Sequence, residues 1–236
     1  MCYGGLRDPE ISLEELRRSR EIIDSYPEYK GLPMHITEFN TSYSPDSPVH
    51  DTTRNAAYIA RLLACLGEMN ESYSYWTFGD VFEEKGVPFT PFHGGFGLVA
   101  NGCIPKPTFW TFAFFKELQG QCLLRNREAV AVQRPDGTVA GVAWNMSQET
   151  KGETSLTFTL PAQGEWCLLT KTVDEEYITE VTSAGMPATK PVVAVGIDAF
   201  WAGAAQTSSN KYDVNDETVF VVVDYACLLY TSDAVD

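Results

Sequence analysis

From residue 12 to residue 118 the chain reads helix, strand, helix, strand, helix, with short connections before each strand and long ones after it. That asymmetry constrains the fold more than any other feature. Strands alternating with helices build parallel sheets. Long segments leaving the carboxyl ends of the strands are what a (β/α) barrel shows, where every functional loop lies on one face. A closed barrel takes about 200 residues or more, and this stretch supplies only part of one. Either the chain starts partway through a domain, or the assignment of elements is wrong.

The first helix is expected over residues 12–26, with Ser12 and Glu15 as a capping box and Ile11 and Leu16 as the staple around it. Pro27 and Gly31-Leu32-Pro33 end it, and a strand from Met34 to Glu38 follows. After a loop rich in Pro, Ser and Asp, Asp51 is placed to cap a second helix. Ala56, Ile59, Ala60, Leu63 and Leu66 form its buried stripe, and Gly67 stops it. A second strand, Tyr73 to Phe78, opens into a loop holding Glu83-Glu84 and Phe92-His93-Gly94-Gly95-Phe96-Gly97. A third helix runs from about Thr108 to Leu118 and ends at Gly120.

Beyond Gly120 the pattern changes. Residues 128–134 and 138–145 flank Pro135-Asp136-Gly137, a hairpin signal, and 154–160, 165–171 and 218–225 are further strand-like runs. Short strands separated by turn residues point to an antiparallel β-sandwich. The expected organisation is α/β plus all-β. Residues 1–120 form the C-terminal portion of a (β/α)8 TIM barrel and residues 121–226 an accessory sandwich. Residues 227–236 continue no pattern and read as a tail, non-native in character.

Composition narrows the function. With 32 acidic against 17 basic residues, the net charge of −15 repels a phosphate backbone, so nucleic acid is not an expected partner. No apolar stretch reaches the ~18 residues of a membrane span, and no secretory leader opens the chain. The six cysteines are scattered without a C-x-x-C pair, which fits a reducing, cytoplasmic setting. His35, His50 and His93 lack metal-ligand spacing, so no metal is expected. Gly94, Gly95 and Gly97 are followed by no lysine and open no helix, so neither phosphate-binding pattern is met, and no cofactor is expected.

Glu38 is the first candidate for chemistry. A carboxylate closing an apolar strand is either paired to a base or opens into a site, because leaving it against apolar surroundings is costly. Trp76 holds an equivalent position on the next strand; it is either core or a flat apolar wall for a sugar ring. Glu83 and Glu84, read alone, are a solvated pair.

The segments His35-Ile36-Thr37-Glu38-Phe39-Asn40-Thr41-Ser42-Tyr43-Ser44-Pro45, Pro48-Val49-His50-Asp51-Thr52, Asn55-Ala56-Ala57-Tyr58-Ile59-Ala60-Arg61, Ser74-Tyr75-Trp76-Thr77-Phe78, Asp80-Val81-Phe82-Glu83-Glu84, Phe92-His93-Gly94-Gly95-Phe96-Gly97-Leu98 and Ile104-Pro105-Lys106-Pro107-Thr108 closely resemble the β-xylosidases of glycoside hydrolase family 39. The resemblance is dense from Leu32 to about Gly120, loose through Trp144-Asn145, and fades after about Lys171. It implies a (β/α)8 barrel with an accessory β-sandwich and hydrolysis with retention. It also implies Glu38 as nucleophile on the seventh barrel strand, Trp76 on the eighth as a wall of the sugar subsite, and Glu83 and Glu84 as contacts to sugar hydroxyls. The implied partner is a small oligosaccharide, and the full-length protein is expected to be a homo-oligomer.

The family's acid/base glutamate follows an asparagine at the end of the fourth strand, upstream of anything here. The Asn70-Glu71 pair of this chain enters its strand from the amino end, the wrong face. The expectation is therefore a fragment carrying the nucleophile without the acid/base, inactive alone. The alternatives are a non-catalytic carbohydrate-binding protein and a family member acting on another glycoside such as an α-L-iduronide.

Overall fold

The computed structural model describes residues 8–81, 86 and 90–145, together with the backbone of strands at 2–3, 154–159, 166–173, 196–202, 209–214 and 220–227. Glu83 and Glu84 lie outside the described residues. By its contacts the chain divides into two units, 1–111 with 184–192, and 112–183 with 193–236.

In the first unit, strands β1 (Cys2–Tyr3), β2 (His35–Asn40) and β3 (Ser72–Tyr75) form a parallel sheet in the order β1-β2-β3. Helix α1 (Pro9–Ser25) connects β1 to β2, and α2 (Thr53–Ala64) connects β2 to β3. The cap of α1 is Asp8 rather than Ser12: Asp8 Oδ1 accepts from Glu10 N–H at 3.0 Å, and Pro9 takes the first turn, where its missing N–H costs nothing. Ser12 is instead buried, with its hydroxyl 2.7 Å from that of Tyr58 on α2. The cap of α2 is Thr52 rather than Asp51, through its hydroxyl and Asn55 N–H. Asp51 has a stronger partner elsewhere. α2 is buried almost all round, from Asn55 through Leu62, as befits a helix held on several sides rather than along one stripe. Phe39 at the end of β2 is fully buried and meets Tyr73 and Tyr75 of β3 at ring separations of 4.7 and 5.7 Å.

The other residues of β2 are less covered. His35 and Thr37 are exposed, and Ile36 and Glu38 are half-buried. A parallel sheet ordinarily has both faces covered. Among the described residues no helix is long and apolar enough to cross a membrane.

Strands β4 (Val99–Ala100) and β5 (Ile104–Pro105) lead into helix α3 (Pro107–Lys116), within which the first unit ends. Between them and the sheet lies a buried ion cluster. Lys106 is wholly buried, and its ammonium reaches Asp51 Oδ1 at 2.6 Å, Asp80 Oδ2 at 2.5 Å and the Gly95 carbonyl at 2.9 Å. Those three acceptors match the three N–H donors of a lysine. The outer carboxylate oxygens accept from the Gly94 and Gly97 amides at 2.6 and 2.5 Å. A side chain has no room here: a Cβ on Gly95 would fall 2.4 Å from Asp80 Oδ1, and one on Gly97 would fall 2.5 Å from Asp80 N. The glycines of residues 94–97 thus serve close backbone approach to the carboxylates.

In the second unit a six-stranded antiparallel sheet runs in the order β11-β10-β13-β8-β7-β6, formed by β6 (Gln121–Arg125), β7 (Ala129–Gln133), β8 (Val139–Ala143), β10 (Trp166–Val173), β11 (Gly196–Ala202) and β13 (Phe220–Cys227). Strand β9 (Thr154–Thr159) pairs separately with β12 (Ser209–Val214). The hairpin at Pro135-Asp136-Gly137 joins β7 to β8: Asp136 Oδ1 accepts from the Thr138 amide and hydroxyl, and Gly137 takes φ +88°. β7 is buried from Ala129 to Val132, and β8 throughout, so both faces of this hairpin are covered and no polar alternation is needed. Strands β6, β11 and β12 carry no clear period-two signal in the sequence.

Removing the Lys106 charge leaves two carboxylates uncompensated, Asp80 buried and Asp51 half-buried. Lys106→Met is expected to lower stability by about 3–5 kcal/mol, measured as the shift in urea unfolding. A loss below about 1 kcal/mol would show that the cluster is not what holds these loops.

Candidate active site

Glu38 lies in a β-bulge. The register pairs Ile36 with Tyr73 and Phe39 with Tyr75, so Thr37 and Glu38 together face the single residue Ser74. Bulges bend a strand and re-aim side chains, and they are uncommon in parallel pairs. Glu38 is half-buried and has no hydrogen-bond or ion-pair partner among the described residues. No described base pairs it.

Trp76 immediately follows β3 and is half-buried. Its backbone is held by the two residues after Glu38. Trp76 N–H donates to the Phe39 carbonyl at 3.2 Å, and Asn40 Nδ2 donates to the Trp76 carbonyl at 2.7 Å. The Trp76-Thr77 peptide is cis. Glu38 and Trp76 therefore stand at the carboxyl ends of neighbouring parallel strands, the end at which such folds bind ligands.

Behind them is a buried polar network. Asn55 of α2 accepts from the Thr41 hydroxyl at 2.7 Å and donates through Nδ2 to the Thr108 hydroxyl at 2.8 Å and the Tyr75 hydroxyl at 3.2 Å. Burial pushes the Tyr75 phenol well above its ordinary pKa, although hydrogen bonds with Asn55, Asn40 and Thr108 work the other way. It stays a neutral hydroxyl at any physiological pH. The loops that leave these strand ends also present large apolar side chains to water: Tyr43 is 79% exposed and Phe78 is 71% exposed. Glu71 precedes β3 and is exposed, its amide bonded to the Met34 carbonyl, so the Asn70-Glu71 pair sits at the amino end of the sheet.

Sequence reasoning missed Asn40, Asn55 and the Asp51–Lys106–Asp80 cluster. The only signal for Lys106 was a lone lysine between Pro105 and Pro107 in an apolar setting. For Asn40 it was an amide two residues beyond Glu38 on the same strand.

His50, also wholly buried, ties two of the loops together: Nδ1 lies 2.8 Å from the Gly94 carbonyl and Nε2 lies 3.2 Å from that of Ser42. A neutral imidazole donates from one nitrogen only, and the shorter contact assigns its proton to Nδ1. Burial pushes the His50 pKa below its ordinary 6.5, and Lys106 adds to this, against the pull of the two carbonyls and Asp51. The unfolded chain takes up this proton near 6.5 and the folded chain only at lower pH, so stability falls as pH drops through that window. The loss of stability between about pH 7.5 and about pH 5.5 should be smaller in His50→Gln than in the parent chain. Paired urea titrations measure the difference, and an equal or larger loss contradicts the assignment.

Comparison with known proteins places this geometry. The sequence model of glycosyl hydrolases family 39 matches residues 7–155. A β-xylosidase of Geobacillus stearothermophilus is 54% identical over 148 residues, 63% of this chain and 29% of that protein. A β-xylosidase of Caldicellulosiruptor saccharolyticus is 41% identical over 106 residues, 44% of this chain and 21% of that protein. The chain thus spans less than a third of the length of these relatives. Among solved structures, a monomeric β-xylosidase from Caulobacter crescentus CB15 superposes with a TM-score of 0.73 at 25% identity, covering 94% of this chain and 50% of that one. The family 39 enzyme from Xanthomonas axonopodis pv. citri gives 0.74 at 24% identity, covering 92% and 49%. These likenesses are to a fold that contains a TIM barrel. With the family model covering well over half of its residues, the chain belongs to glycosyl hydrolases family 39.

Proposed function

We propose that this chain carries the nucleophile half of a retaining β-D-xylosidase that releases xylose from xylo-oligosaccharides, with Glu38 as the nucleophile. The observation that carries the reading is Glu38 itself: half-buried, set in a bulge at the carboxyl end of a parallel strand, and without a base to pair with among the described residues. The β-xylosidases of G. stearothermophilus and C. saccharolyticus support the substrate class.

In a retaining mechanism the carboxylate attacks the anomeric carbon while a second carboxyl group, about 5–5.5 Å away, protonates the leaving oxygen and then activates water. Glu38 takes the first role. The second falls to a residue this chain does not supply, since Asn70-Glu71 lies at the opposite end of the sheet. Trp76 forms the apolar wall of the sugar subsite, and Glu83 and Glu84 bind sugar hydroxyls, bonds that strengthen as the oxocarbenium-like transition state develops. The antiparallel strands of the second unit belong to an accessory β-sandwich.

A sugar whose leaving group needs no protonation isolates the nucleophile. With 2,4-dinitrophenyl 2-deoxy-2-fluoro-xyloside, the Glu38 carboxylate forms an ester to the anomeric carbon as dinitrophenolate departs with the bonding electrons. Intact-protein and peptide mass spectrometry should show one fluoroxylosyl group, on Glu38, and none in Glu38→Gln. Labelling elsewhere, or no labelling, would remove Glu38 from this role. Unactivated xylobiose should turn over far more slowly than in a complete enzyme, because protonation of the leaving oxygen by a positioned acid contributes about 10²–10⁴-fold. Xylobiose binding by calorimetry that survives Glu38→Gln, without any ester, would favour a purely carbohydrate-binding protein.

A further inference from the structure

We propose that Asn40 is a positioning residue that fixes Trp76 relative to Glu38. The need for such a restraint follows from the bulge. The extra residue of β2 interrupts regular pairing with β3 between Ile36 and Phe39, the stretch that contains Glu38. Past an interruption of this kind, ladder hydrogen bonds alone hold the neighbouring strand's register weakly. Here the peptide of Trp76 is caught at both of its polar ends: its N–H by the Phe39 carbonyl and its carbonyl by Asn40 Nδ2. The two contacts come from the residues one and two places beyond Glu38, so the backbone that carries the indole is tied to the segment that carries the carboxylate.

The chemistry of the site calls for an amide. Asn40 is fully buried, and its Oδ1 accepts the Thr41 N–H at 2.8 Å. That leaves Nδ2 facing two carbonyls, Trp76 at 2.7 Å and Phe96 at 3.5 Å. A flipped amide would set an oxygen against both carbonyls and an NH₂ against an N–H. A carboxylate in the same space would keep the Thr41 contact and repel both carbonyls. Asparagine alone satisfies all of these groups at this size. The Tyr75 hydroxyl, which also hydrogen-bonds Asn40, ties it to the Asn55 network, so the clamp is anchored to α2 and α3 as well as to the sheet.

The consequence for sugar binding rests on the function proposed above, but the position of Trp76 can be read without it. The chain has five tryptophans, and their indole N–H groups give separate signals in ¹⁵N NMR of the full chain, with Trp76→Phe identifying the relevant one. Asn40→Asp and Asn40→Ala should displace or broaden the Trp76 signal more than any other indole signal. Thr111→Val, which removes a buried hydrogen bond to the Ala56 carbonyl outside this network, should leave it in place. Xylose titrated against the Trp76 signal should bind about tenfold more weakly to Asn40→Asp than to the parent chain, the scale of one lost buried hydrogen bond. An unmoved Trp76 signal in Asn40→Asp would overturn the proposal, as would an equal displacement in Thr111→Val or loss of the folded spectrum in both Asn40 variants, which would make the residue merely structural. If the parent chain shows no response to xylose, sugar binding by this chain fails, while the displacement of the signal still decides the role of Asn40.

Discussion

The loops that leave the carboxyl ends of β2 and β3 are held to one another by one buried ammonium. Lys106 brings together Asp51, which follows β2, and Asp80, which follows β3, and it also holds the Gly95 carbonyl. Two loops that leave different strands are thereby fixed to the segment that begins α3. The desolvation of three charged groups would be prohibitive if any were left without a partner. Here each outer carboxylate oxygen takes a glycine amide, and the ammonium makes three short contacts. The glycines are part of the same solution, since side chains on residues 95 and 97 would collide with Asp80.

A second network of different character lies closer to the candidate nucleophile. Asn40, Thr41, Asn55, Tyr75 and Thr108 are joined by neutral hydrogen bonds, mostly buried, between β2, α2, β3 and α3. Such networks are costly when incomplete and rigid when complete. The ion cluster holds loops to one another, whereas the amide network holds strand ends. Glu38 belongs to neither. It lies in the bulge, half-buried and without a side-chain partner among the described residues.

Much of the fold was legible in the sequence. The strand ending near Glu38, the helix stripe through Ala56 and Ile59, and the turn at Pro135-Asp136-Gly137 all follow from local periodicity and turn chemistry. The misplaced caps show where local reasoning stops. Ser12 and Asp51 have the side chains of good caps, yet each is drawn to a distant partner, Tyr58 in one case and Lys106 in the other. The caps fell instead to Asp8 and Thr52. The family was likewise legible, because ordered blocks of residues carried it, and the family model matches over 7–155.

The amino-acid sequence by itself determined the alternation of helices and strands, the acidic balance, the family, and the candidate residues Glu38 and Trp76, because each is carried by residues close together along the chain. The tertiary structure alone decided that Glu38 sits in a bulge, that Asn40 holds the peptide of Trp76, and that Lys106 is a buried counter-ion for two aspartates. Those contacts join residues between 26 and 55 positions apart. No local propensity encodes such pairings. They exist because burying a polar group is affordable only where the fold delivers its partner.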